Sequence, residues 1–219
     1  MHSPSRRILV CFAVKEEARF FHPRSDGATA IKIMVSGMGW KNAEEAIQRA
    51  LGDFHPDLVL SCGFAGGLDP NLRPGAILFA AEDPPLGDSC IALGAKRASF
   101  VCSPRVLSTA AEKRAWRERS KADAVEMESE IIRRHCQVCG VTSATIRVIL
   151  DAAGHELPLD LETVLTAQKR ISIPKLAAAL IASPRRVKGL LALQRESKIA
   201  AKELGEFLDR LLAEIEKRS

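Results

Sequence analysis

The sequence predicts a three-layer α/β/α sandwich around a central mixed sheet, with a helical C-terminal extension. Three observations lead there. Short apolar runs alternate with amphipathic stretches through the first two-thirds of the 219 residues. Several of those runs are apolar at successive positions, as strands buried on both faces are. From Leu161 onward the periodicity is only helical. Strand–helix alternation followed by helices argues for helices packed on both faces of one sheet. A chain of this length fits one domain, 1–219, with a core of about 8–160 and a tail of about 161–219. Such a domain buries ~70% of the surface that its unfolded form exposes.

The elements follow in order. Ile8–Val14, Ile31–Ser36, Leu58–Cys62, Ala76–Ala80, Ser99–Cys102 and Thr142–Leu150 read as strands. The clearest helix is Lys41–Leu51, where Ala43, Ala46, Ile47, Ala50 and Leu51 recur at three- and four-residue steps. A second runs from about Met127 to Cys136. In the tail, Pro174 and Pro184 are placed to start helices, because proline fits the first turn. The last helix, about Ser197 to Lys217, sets Ile199, Leu204, Phe207, Leu208, Leu211, Leu212 and Ile215 along one face.

Composition narrows the class. Hydrophobic residues are 47% and charged residues 27%, a balance that argues against a disordered chain. No apolar run approaches the ~18 residues that cross a bilayer, and the N-terminus lacks the pattern of a signal peptide. The expected location is therefore cytoplasmic. A net charge of +5 suits an anionic ligand without implying nucleic acid, and aromatics at 5% with no tyrosine do not form a base-stacking platform. Of the six cysteines, Cys136 and Cys139 make a single CxxC with no second pair of ligands, so no metal site is expected.

Four stretches could carry chemistry. Cys62-Gly-Phe-Ala-Gly-Gly-Leu68 follows a buried strand, and its three glycines let backbone approach a flat ligand. They could equally make a tight turn. Ala124-Val-Glu-Met-Glu-Ser129 sets two carboxylates at a strand-to-helix junction, where they could accept hydrogen bonds from vicinal hydroxyls or simply favour the helix start. Arg147-Val-Ile-Leu-Asp151 ends the last strand on an acid, at the end of the sheet where ligands collect. A turn cap would look the same. Lys15-Glu-Glu-Ala-Arg19 follows the first strand.

In this order, together with Ser36-Gly-Met-Gly39 and Leu72-Arg-Pro-Gly75, these motifs resemble the purine nucleoside phosphorylase and methylthioadenosine/S-adenosylhomocysteine nucleosidase superfamily, over roughly residues 8–155. The resemblance implies cleavage of the N-glycosidic bond of a purine nucleoside. Asp151 then protonates the departing base, which requires burial to raise its pKa from the ordinary ~3.9. Glu17 activates the attacking water, with Glu16 one alignment step away. Glu128 binds the ribose hydroxyls beside Met127 and Glu126, Ala65 and Gly66 line the base, and Ser36 and Gly37 lie at the nucleophile's side.

Two departures from the family pattern stand out. Phe64 replaces a serine common in relatives, and the stretch between Ala81 and Phe100 is far shorter than in nucleosidases, which implies a 5′ pocket open to a large or apolar substituent. Glu17 and Ser61, where phosphorolytic relatives carry arginines, favour hydrolysis. The amides of Ser36–Gly39 and the nearby Arg19 and Arg73 keep inorganic phosphate open as co-substrate. Ala153–Asp160 and the basic, leucine-rich stretch after Pro184 look like the hopanoid-associated phosphorylases, whose nucleoside, adenosylhopane, carries a lipid at C5′ and would be met at a membrane surface. No organic cofactor is implied, and a homodimer is. The alternative is a non-catalytic nucleoside-binding protein, which would have no need of three carboxylates in one cavity.

Overall fold

The computed structural model describes residues 6–24, 29–158, 163, 166 and 186–218. Eight strands form one sheet: β1 (Arg6–Phe12), β2 (Thr29–Val35), β3 (Leu58–Gly67), β4 (Ile77–Ala81), β5 (Lys96–Arg97), β6 (Phe100–Cys102), β7 (Ala124–Glu126) and β8 (Thr142–Asp151). The main path runs β2-β1-β3-β8-β4-β5, while β7 pairs with the far end of β3 and with β6. β4 on β8 and β7 on β3 are antiparallel and the remaining pairs are parallel, so the sheet is mixed as the sequence predicts.

Period-two alternation along β1 explains the layering. Ile8, Val10 and Phe12 join one core with Leu60, Ile146 and Val148, whereas Leu9 and Cys11 point into the other. The second core is closed by α2 (Trp40–Phe54) and α5 (Ser129–Val138) through Ala43, Ile47, Ile132 and Cys136. The first is closed by α1 (Lys15–Ala18), α3 (Pro84–Ala92) and the long α6 (Arg186–Lys217). Leu204, Phe207, Leu208, Leu211, Leu212 and Ile215 all sink into that core, each contributing up to about 2 kcal/mol of hydrophobic stabilisation. Gly205 is required for the approach of α6, since a Cβ there would stand 2.5 Å from the Phe20 carbonyl oxygen. The last helix therefore begins before Ser197, while the starts proposed at Pro174 and Pro184 lie outside the described residues.

Two local corrections matter for the site. Gly63–Gly67 is not a turn after the strand but the continuation of β3, paired with β8 as far as Gly66↔Asp151, with a bulge at Ala65/Gly66. The helix expected from Met127 begins at Ser129, because Glu126–Glu128 form the corner between β7 and α5. α4 (Ala110–Ser120) and the short β5 carry too little periodicity to be read from sequence, whereas the strand-to-helix junction read at Ala124–Ser129 is β7 leading into α5. In the structure α4 is opened by a capping box of Thr109 and Glu112.

Candidate active site

Three turns of chain meet at the C-terminal end of β1. Glu17, on α1, is buried, while its neighbour Glu16 is exposed. Glu17 Oε2 accepts the amides of Ala13 (2.9 Å) and Val14 (3.1 Å), and Oε1 accepts that of Phe64 (2.8 Å). β3 reaches it only because residue 63 is glycine. A Cβ there would lie 2.6 Å from Glu17 Oε1, and φ is +156°. Burial raises the Glu17 pKa, opposed by the Phe64 amide and by Arg147.

Arg147, on β8, is buried and holds the next group together. Its guanidinium donates to the Ser61 carbonyl (2.6 Å), to Ser61 Oγ (3.1 Å) and to Glu126 Oε2 (2.6 Å). Glu126 also accepts from the amides of Glu128 and Ser129, from Ser129 Oγ, and from Cys102 Sγ. Burial by itself would raise the Glu126 pKa. The Arg147 charge and these donors overcome burial and lower it. Five protein donors saturate a carboxylate with about four lone-pair sites. Glu126, expected among the ligand-binding residues, has no acceptor left for a ligand; it ties β7, α5 and β8 together.

Glu128 differs. Among the described residues it accepts one hydrogen bond, from the Gly39 amide to Oε1 at 2.6 Å, leaving Oε2 for a ligand. Burial, with the Glu126 charge, pushes its pKa up to about 8. The folded state therefore keeps a proton that the unfolded chain loses near the ordinary carboxylate value. The associated stability is complete below that value and is lost as pH rises through about 8. Glu128→Gln is expected to flatten the fall in melting temperature between pH 6 and 9. Equal slopes in the two proteins would refute this.

Asp151 closes β8 four residues beyond Arg147, about 13 Å along the strand. Gly66 lies against it: a Cβ there would stand 3.5 Å from Asp151 Oδ1. Oδ2 takes a hydrogen bond from the buried ammonium of Lys113, on α4. Burial raises the Asp151 pKa, opposed by the Lys113 charge. The Gly63–Gly66 segment thus runs from Glu17 at one end to Asp151 at the other, backed by β8.

Against known proteins, a profile of the phosphorylase superfamily matches residues 11–82. A 5′-methylthioadenosine/S-adenosylhomocysteine nucleosidase of Pseudoalteromonas translucida is 24% identical over 196 residues, 74% of this chain and 83% of that protein. The enzyme of the same name from Anoxybacillus flavithermus is 25% identical over 181 residues, 67% and 78% of the two chains. Among solved structures, futalosine hydrolase of Helicobacter pylori superposes with a TM-score of 0.70 over 95% of this chain and 98% of its own, at 16% identity. The Helicobacter pylori methylthioadenosine/adenosylhomocysteine nucleosidase gives 0.72 over 97% and 100%, also at 16% identity. The chain is thus similar to the phosphorylase superfamily over residues 11–82, and it shares the fold of these two solved structures along nearly its whole length.

The other expected site residues are distributed around those acids. Ala65 is buried and Gly66 lies beside Asp151. Phe64 is half-buried and packs against the core under α6, so its contribution to the site is its amide to Glu17. Met127 lines a cavity of about 300 Å³ with Trp40, Pro104, Ile131 and Arg134. The amides of Ser36, Gly37 and Gly39 donate to Phe12, Ala13 and Glu128. Arg19 and Arg73 are exposed. Two residues that hold these acids in place were given no role from the sequence. Arg147 was visible as a charge inside an apolar strand, a signal that could have been used; Lys113 sits in a heavily charged helix and gives no such signal.

Proposed function

We propose that this chain hydrolyses the N-glycosidic bond of a purine nucleoside, with Asp151 as the acid that protonates the departing base. The observation that carries the reading is a buried carboxyl, its pKa raised, facing the glycine floor of β3 at the end of β8. A proton donor must hold its proton, and burial favours the neutral form of Asp151 while the Lys113 charge opposes it. Glu128 holds the ribose through Oε2, and Glu17 takes the proton of the attacking water while the ribosyl carbon carries positive charge. The relatives named for methylthioadenosine and adenosylhomocysteine suggest adenine as the base.

Water is favoured over phosphate because the cations are committed or remote. Arg147 is spent on Ser61 and Glu126, Arg19 and Arg73 face solvent, and the Ser36, Gly37 and Gly39 amides are used within the protein. β4 passes to α3 through Glu82 and Asp83 alone, and the cavity at Met127 is largely apolar, which supports a large or apolar 5′ substituent. The homodimer would use the edge strand β2, where Ile33 and Val35 stand exposed near Trp40. Incubation with adenosine, methylthioadenosine and a 5′-alkyl adenosine is expected to release adenine without phosphate, fastest from the alkyl compound. Release only with phosphate would overturn hydrolysis, and no release from any would overturn the whole reading.

A lipid-bearing nucleoside met at a membrane surface is the second reading. Val187, Leu191 and Ile199 are exposed on α6 among Lys188, Arg195 and Lys198. No helix among the described residues is long and apolar enough to cross a membrane.

A further inference from the structure

Lys113 is 1% exposed, and a buried ammonium requires partners for its charge and for each of its three N–H groups. It finds three acceptors nearby: Asp151 Oδ2, the Ala152 carbonyl (2.9 Å) and the His155 carbonyl (2.9 Å). No N–H is left for a substrate. All three acceptors lie within residues 151–155, so one side chain of α4 holds both the acid and the turn that follows it. Asp151 is consequently engaged through Oδ2, with Oδ1 nearer Gly66.

We propose that Lys113 is the positioning residue for Asp151: it fixes the carboxyl with Oδ1 toward the departing base and supplies the positive charge that meets the carboxylate left when its proton transfers. The inference rests on the cleavage reaction proposed above. In that reaction the electron pair of the C1′–N bond passes to the base, and the proton of Asp151 passes to a ring nitrogen. Asp151 is left as a carboxylate paired with Lys113. The water that bonds to C1′ loses a proton to Glu17, after which Glu17 releases that proton to solvent and Asp151 regains one from it. A charge that stabilises Asp151 only after proton transfer lowers the barrier rather than tightening substrate binding.

The charged groups facing Asp151 are Lys113 from α4, His155 from the following turn and Glu196 from α6. Lys113 and His155 favour the carboxylate, whereas Glu196 disfavours it. Replacing Lys113 with methionine removes the strongest opposition to burial, so Asp151 should hold its proton to higher pH and be a weaker acid.

The test compares wild type, Lys113→Met, Asp151→Asn and the double variant, each checked for folding by circular dichroism. In Lys113→Met, kcat is expected to fall about 100-fold with KM within about threefold. The alkaline limb of its kcat–pH profile should move up by about one unit. In the Asp151→Asn background the same substitution should cost no further activity, because Lys113 acts through the carboxyl. Carbon-13 NMR of labelled aspartate carboxyls, with Asp151 assigned from Asp151→Asn, gives a readout independent of turnover. Its midpoint should rise in Lys113→Met. An unmoved midpoint, or a second full loss in the Asp151→Asn background, would overturn the proposal. If the wild type releases no base, the cleavage reading fails while the NMR titration still decides the role of Lys113. Should Lys113→Met not fold, Lys113→Gln, which retains hydrogen-bonding capacity without charge, is read against the same two criteria.

Discussion

Asp151→Asn is expected to lower adenine release by about 10²–10⁴-fold, the range that positioned general acids contribute. The substitution keeps the shape of the side chain and an oxygen for Lys113, but removes the proton that the base would take. It also changes the partner of a buried ammonium, so a modest loss of stability should accompany the loss of rate. Asp151→Ala is expected to be worse for stability, since the ammonium then keeps only the Ala152 and His155 carbonyls. Single-turnover release of adenine from methylthioadenosine, with melting temperature measured in parallel, separates the two effects. Activity within a few-fold of wild type in Asp151→Asn would remove Asp151 from the chemistry.

Arg147→Met should produce the largest change in stability. One guanidinium lies among Glu17, Glu126 and Glu128, and its own protonation is favoured by Glu126 and Glu128 against the cost of burial. Removing one partner of a buried ion pair costs about 3–5 kcal/mol, because the remaining charge keeps its desolvation penalty. In a chain of this size that lowers the melting temperature by roughly 6–20 °C. The defect should shrink at pH 5, where the stranded carboxylates can accept protons, and in an Arg147→Met/Glu126→Gln double variant. A melting temperature within about 2 °C of wild type would show that the network does not support the fold.

The first expectation concerns a residue that the family resemblance already marked as the acid, while the second concerns Arg147, whose pairing was not legible in sequence. The layered fold was legible, since alternation along Ile8–Phe12 and the three- and four-residue steps of α2 and α6 express which faces are buried. The site was legible as an ordered set of acids with roles implied by the resemblance, but their burial and hydrogen-bond partners were not. Glu16 and Glu17 are adjacent acids in a short helix, and only packing under Gly63 and Phe64 buries the second. Glu126 and Glu128 flank one methionine and look equivalent, yet Arg147 and four further donors saturate one, while among the described residues the other accepts from Gly39 alone.

By itself the sequence determined an α/β chain with a proton-donor candidate at the end of its last buried strand. Local pattern suffices for that, because hydrophobic periodicity and strand ends are properties of neighbours in the chain. Only the tertiary structure decided which carboxyls are buried, which are saturated by donors and which residue pairs with Asp151. Those outcomes rest on pairs far apart in sequence: Arg147 with Glu126, 21 residues away, Lys113 with Asp151, 38 away, and Gly39 with Glu128, 89 away. Burial and a neighbouring charge set the state of an acid, and both exist only once the sheet has brought these residues together.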